Sequence, residues 1–69
     1  MKSLKINGES RDFPEELPET LSTLLDLLNI NQATVVAEVD EKIIKRTEFA
    51  KTLLKPGQSI ELVRFVGGG

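Results

Sequence analysis

A chain of 69 residues, 39% of them hydrophobic, has material for one domain, and a domain of that size buries only about 60% of the surface its unfolded chain exposes. Nine basic against eleven acidic side chains leave a formal net charge of −2, and three phenylalanines are the only aromatic residues. This excludes a basic, ring-bearing surface for nucleic acid and favours a protein partner.

Cysteine and histidine are both absent. There is no disulfide framework, no thiolate nucleophile or thiolate metal site, and no imidazole to serve as general base or metal ligand. The expectation is a protein that is not an enzyme and holds no metal or cofactor of its own. No apolar run is long enough to cross a bilayer, and Met1-Lys2-Ser3-Leu4-Lys5 lacks the hydrophobic stretch of a signal peptide. A cytoplasmic protein without membrane attachment, monomeric when alone, is expected.

Taken in chain order, Leu4 and Ile6 alternate with Lys5 and run into Asn7-Gly8, the dipeptide suited to a tight type I′ hairpin turn. The returning strand, Glu9 to Phe13, is polar and is placed at a sheet edge. Pro14 and Pro18 bracket a loop whose Glu15, Glu16 and Glu19 are read as solvated acids ahead of a helix. Thr20 is a suitable N-cap, and Leu21, Leu24, Leu25 and Leu28 follow at helical spacing, with Leu27 off the stripe and Asn29 with Asn31 as a stop. The helix is two to three turns long, and its leucines are core.

Thr34 to Val39 is a β-branched run read as a central strand, with Asp40-Glu41-Lys42 turning into a short partner at Ile43-Ile44. Thr47 to Leu54 is expected to be a helical turn or loop carrying Phe49, Leu53 and Leu54 inward, and Pro56-Gly57 turns into a final strand, Ser59 to Val66. Lys42, Lys45, Arg46 and Lys51 are read as solvated charges. Ser10, Ser22 and Ser59 have no histidine to activate them. No glycine-rich phosphate loop occurs.

The last three residues are Gly67, Gly68 and Gly69. Glycine lacks a Cβ, so such a segment can thread a narrow channel and lets a partner's walls approach its main chain. The terminal carboxylate of Gly69 is therefore the expected site of chemistry. A carboxylate is a poor acyl donor, so a partner would first have to activate it. Alternation along the final strand turns Ile60 and Leu62 toward the helix-covered core and Glu61, Val63 and Phe65 toward the opposite, open face. Val63 and Phe65, with Val66, are expected to bind a partner.

The predicted order of strand, strand, helix, strand, short strand and final strand is α+β. One helix packed across a mixed sheet of four to five strands after an opening hairpin is the β-grasp, or ubiquitin-like, arrangement. Particular residues carry a resemblance over nearly the whole chain: Leu4 to Glu9 with its Asn-Gly-Glu turn, Thr20 with Leu24-Leu25, Val36-Ala37-Glu38 to Ile43-Ile44-Lys45-Arg46, Leu54 to Val63, and Val66 to Gly69. On these the chain resembles the ThiS family of sulfur carrier proteins of thiamine biosynthesis. It departs from the family at Asp40, often Asn, and at Gln58, often acidic; both lie in turns.

The resemblance implies a β-grasp domain over 1–66 and a glycine tail over 67–69. It also implies a ThiF-like adenylating enzyme that uses ATP and magnesium on Gly69, and a thiazole synthase, ThiG, that receives the sulfur from the thiocarboxylate. Three other readings remain at this point. One is the small subunit of molybdopterin synthase, against which stand the chain length and the absence of a proline-containing segment before the glycines. The others are a ubiquitin-like modifier joined to lysines, and a plain interaction domain with an inert tail.

Overall fold

The opening hairpin forms as its turn chemistry requires. Strands β1 (Lys2–Ile6) and β2 (Glu9–Phe13) pair antiparallel, closing at Ile6 opposite Glu9 across Asn7-Gly8. Both loop residues have positive φ, 51° and 84°, which is the type I′ geometry that matches strand twist. The computed structural model describes residues 2–64; Met1 and residues 65–69 lie outside the described residues.

Helix α1 (Leu21–Leu27) is seven residues long, too short to persist in water without support. It is capped at both ends. Thr20 accepts from the Thr23 amide through its hydroxyl at 3.2 Å. At the other end Asn29 takes a φ of 59°, its amide donates to Asp26 O, and the Ile30 amide donates to Leu25 O. This is a Schellman stop with asparagine in the left-handed position, and half-buried Ile30 packs on the core beyond it. Asn31 then caps a 3₁₀ turn, Gln32–Thr34, through its side-chain oxygen.

Strands β3 (Val35–Val39) and β4 (Lys42–Ile44) form the second hairpin, and β5 (Ser59–Arg64) completes a five-stranded sheet in the order β2-β1-β5-β3-β4. All neighbours are antiparallel except β1 and β5, which are parallel at Lys5 with Ser59 and Ile6 with Ile60. The expected central strand is corrected in position. Thr34 belongs to the preceding 3₁₀ turn, and β3 lies between β5 and the edge strand β4, so β5 holds the middle. A last strand that pairs with both β1 and β3 has to lie between them.

One face of this sheet carries the core. Leu4 of β1, Ala37 of β3 and Ile60 of β5 meet Leu21, Leu24 and Leu25 of α1, all buried. Phe49 closes one side from a 3₁₀ segment, Arg46–Lys51, and Leu54 follows it inward. Leu53 does not. It is 60% exposed, which corrects the expectation that Leu53 and Leu54 both turn in. The chain here is extended and bridges Thr20 with Leu53, so adjacent side chains leave it on opposite sides and only one faces the core. A single helix covers a single face, and the mixed sheet with this crossover is the β-grasp fold.

The candidate carrier tail and the open sheet face

With α1 on one side of the sheet, the alternation along β5 decides what the other side presents. Ile60 and Leu62 are buried, whereas Glu61 and Val63 are exposed on the uncovered face, as the strand period requires. Val63 is 61% exposed and lies directly opposite Val36 of β3. Glu38, next along that face of β3, stands between Glu61 of β5 and Ile43 of β4, and Ile43 is 70% exposed. Three apolar side chains from three adjacent strands therefore share the open face with two carboxylates.

Of the residues expected to bind a partner, Val63 lies on this face. Phe65 and Val66, and the glycine segment Gly67, Gly68 and Gly69, lie outside the described residues. Val36 and Ile43 join the face unforeseen. Their signal was present, since both are apolar at strand positions, but their placement beside Val63 depends on the pairing register between strands far apart in sequence. Val63 belongs to β5, the strand that leads into the glycine segment.

Lys42, Lys45, Arg46 and Lys51 are exposed, and Glu16 is paired at 2.9 Å with Lys2. The Ser22 hydroxyl accepts from Gln32 Nε2 at 2.6 Å, a link between α1 and the following turn. Among the described residues no three His, Cys, Asp or Glu side chains gather to hold a metal, and no helix is long and apolar enough to cross a membrane.

A small mixed sheet with one helix on one face, an open face on the other, and a last strand running in the middle toward a glycine tail define the ubiquitin-like class of β-grasp proteins. Within that class the chain matches the ThiS family model over residues 4–69, and it belongs to the ThiS family. Members of the family are small sulfur carriers of thiamine biosynthesis, not enzymes.

The fold is similar to the crystal structure of the thiamine biosynthesis protein ThiS from Geobacter metallireducens, with a TM-score of 0.82 at 29% identity, covering 97% of this chain and 99% of that one. A solution structure of a thiamine biosynthesis protein from the same organism gives 0.79 at 29% identity, over 97% of this chain and 87% of that one. In sequence the chain is 33% identical over 66 residues to a thiazole synthase from Paramagnetospirillum magneticum. That alignment takes in 96% of this chain and spans 20% of the synthase. It is also 34% identical over 67 residues to the uncharacterized protein ycf40 of Pyropia yezoensis, over 97% of this chain and 92% of that protein.

Proposed function

We propose that residues 1–66 act as a folded carrier unit and residues 67–69 as its tail, with sulfur carried as a thiocarboxylate on Gly69. A Gly69 carboxylate oxygen attacks the α-phosphorus of ATP and pyrophosphate leaves. A sulfur nucleophile then attacks the acyl carbon, and AMP departs with that oxygen. ATP and magnesium belong to a ThiF-like activating enzyme, Gly67 and Gly68 thread its channel, and Val63 with Phe65 and Val66 forms the docking contact. A ThiG-type thiazole synthase takes the sulfur. The carrier works in the cytoplasm and is monomeric until it docks.

The observation that carries this reading is the family match over residues 4–69, which includes the whole glycine segment. The thiazole synthase that contains a stretch similar to 96% of this chain supports delivery of sulfur to thiazole formation. So does the open face beside β5, because apolar side chains grouped there suit a protein contact. The test is incubation with a ThiF-like enzyme, ATP, magnesium and a sulfur donor, followed by intact mass. The expected product has one oxygen replaced by sulfur. An unchanged mass with an enzyme active on another carrier overturns the reading, and a mass gain on target lysines supports a modifier instead.

A further inference from the structure

The pairing of β5 is asymmetric. On its β3 side, β5 is paired from Ile60 to Arg64, but on its β1 side the strand pairing ends at Ile60, because β1 turns away at Asn7. The Leu62 amide points to that vacated side. It donates at 2.7 Å to the side-chain oxygen of Asn7, a half-buried contact spanning 55 residues of sequence, while the Asn7 amide donates to Ile60 O at 2.8 Å. One residue therefore grips β5 twice, at Ile60 and at Leu62, and the second grip replaces a strand partner that is missing. Asn7 is held ready for this by the turn. Its φ of 51° is a left-handed conformation that asparagine tolerates, and it directs the carboxamide toward β5 instead of along the hairpin.

From these contacts we propose that Asn7 is a positioning residue for the carrier reaction. By pinning Leu62 it fixes the end of β5, and so sets where Val63 and Arg64 stand relative to the open face. The inference rests on the carrier reading above and adds to it the part that aims the tail. Asn7 acts through its contacts with Ile60 and Leu62 of β5. Its effect falls on the encounter with the activating enzyme, because an end of β5 free on one side must be ordered during docking, whereas a docked tail is held by the enzyme itself.

The oxygen is the part that matters, since the Leu62 amide is the donor, and this separates two variants that both suit the left-handed turn. Asn7→Gly keeps the turn and removes the acceptor. Asn7→Asp keeps both. For Asn7→Gly the expected result is a rise of about fivefold in KM for the carrier in adenylation, the size of one net hydrogen bond, with kcat within about twofold. The Leu62, Val63 and Arg64 amides should exchange faster with solvent than in wild type, while amides of α1 keep their protection. Asn7→Asp should restore both readouts.

Wild-type exchange at Leu62 in Asn7→Gly overturns the clamp, as does an Asn7→Asp variant impaired as much as Asn7→Gly. A uniform loss of protection across the sheet and helix also overturns it, because it reduces Asn7 to a general stabiliser. A change confined to kcat overturns the positioning role. If the wild-type chain is itself not activated, the carrier reading fails, and with it the proposed role in that reaction, while exchange at Leu62 still decides whether the clamp exists.

Discussion

At the residue scale the least expected contacts are those of the second hairpin. Asp40 and Glu41 both take positive φ, 50° and 71°, so a type I′ turn is built without glycine. Asp40 earns its place by bonding across to β5: its carboxylate accepts from the Ser59 amide at 2.9 Å and its own amide donates to Ser59 O at 2.8 Å. Glu41 is exposed and shows no side-chain hydrogen bond among the described residues, so its left-handed backbone is a plain cost. Glu41→Gly is therefore expected to stabilise the fold by about 0.5–1 kcal/mol, less than the full left-handed penalty because glycine loses more chain entropy on folding. Asp40→Ala should destabilise it by about 1–2 kcal/mol, through the lost acceptor and a poorer left-handed residue. Urea denaturation of the two variants beside wild type checks both signs. A turn at these positions was legible in the residues. That Asp40 ties β3 to β5 was not, because Ser59 comes near it only through the pairing of distant strands.

At the element scale, α1 shows how little helix suffices when packing does the rest. Seven residues bury three leucines, and the caps at Thr20 and Asn29 satisfy backbone groups that a two-turn helix would otherwise leave open. Leu24→Ala is expected to cost about 2–5 kcal/mol because it empties a site of 0% exposure between helix and sheet. Leu27→Ala, at 55% exposure, should stay within about 0.5 kcal/mol. Thr20→Ala should cost about 1 kcal/mol through the lost cap. Thermal unfolding of the three variants tests the ranking, and a Leu27 loss equal to that of Leu24 would mean the helix packs on a different face. The stripe, the cap and the stop could all be read along the chain because each is local. The segment from Thr52 to Leu54 could not, since its inward and outward sides depend on a bridge to Thr20.

At the scale of the whole molecule, the sheet has one face covered by the helix and one open, and the open face is the proposed contact. A substitution on the open face should separate the two. Val63→Asp is expected to weaken binding to the activating enzyme at least about fivefold, as for an interface residue worth more than about 1 kcal/mol, while costing no more than about 1 kcal/mol of folding stability. Calorimetric titration with the enzyme and melting of the free carrier measure the two terms, and retained binding with a large stability loss would place Val63 in the core. On the proposed reading, Gly68→Ala slows adenylation without lowering the melting temperature, because a methyl group crowds a threaded channel and terminal residues add little to the core. A residue appended after Gly69 should abolish adenylation with the same melting behaviour, since it displaces the reacting carboxylate.

The amino-acid sequence by itself determined what is local or compositional. The absence of cysteine and histidine made independent catalysis unexpected, the Asn7-Gly8 turn and the leucine stripe defined the first hairpin and the helix, and alternation along the final strand assigned Ile60 and Leu62 to the core and Val63 to the open face. Each of these follows from residue type or from a period of two or 3.6 within one element. Only the tertiary structure decided that β5 lies in the middle of the sheet, that Val36 and Ile43 stand on the face with Val63, that Leu53 points out while Leu54 points in, and that Asn7 holds Leu62. The physical reason is common to all four. Each depends on register between segments far apart in the chain, and register is set by the packing of the whole sheet against its helix, with no single stretch of residues able to specify it.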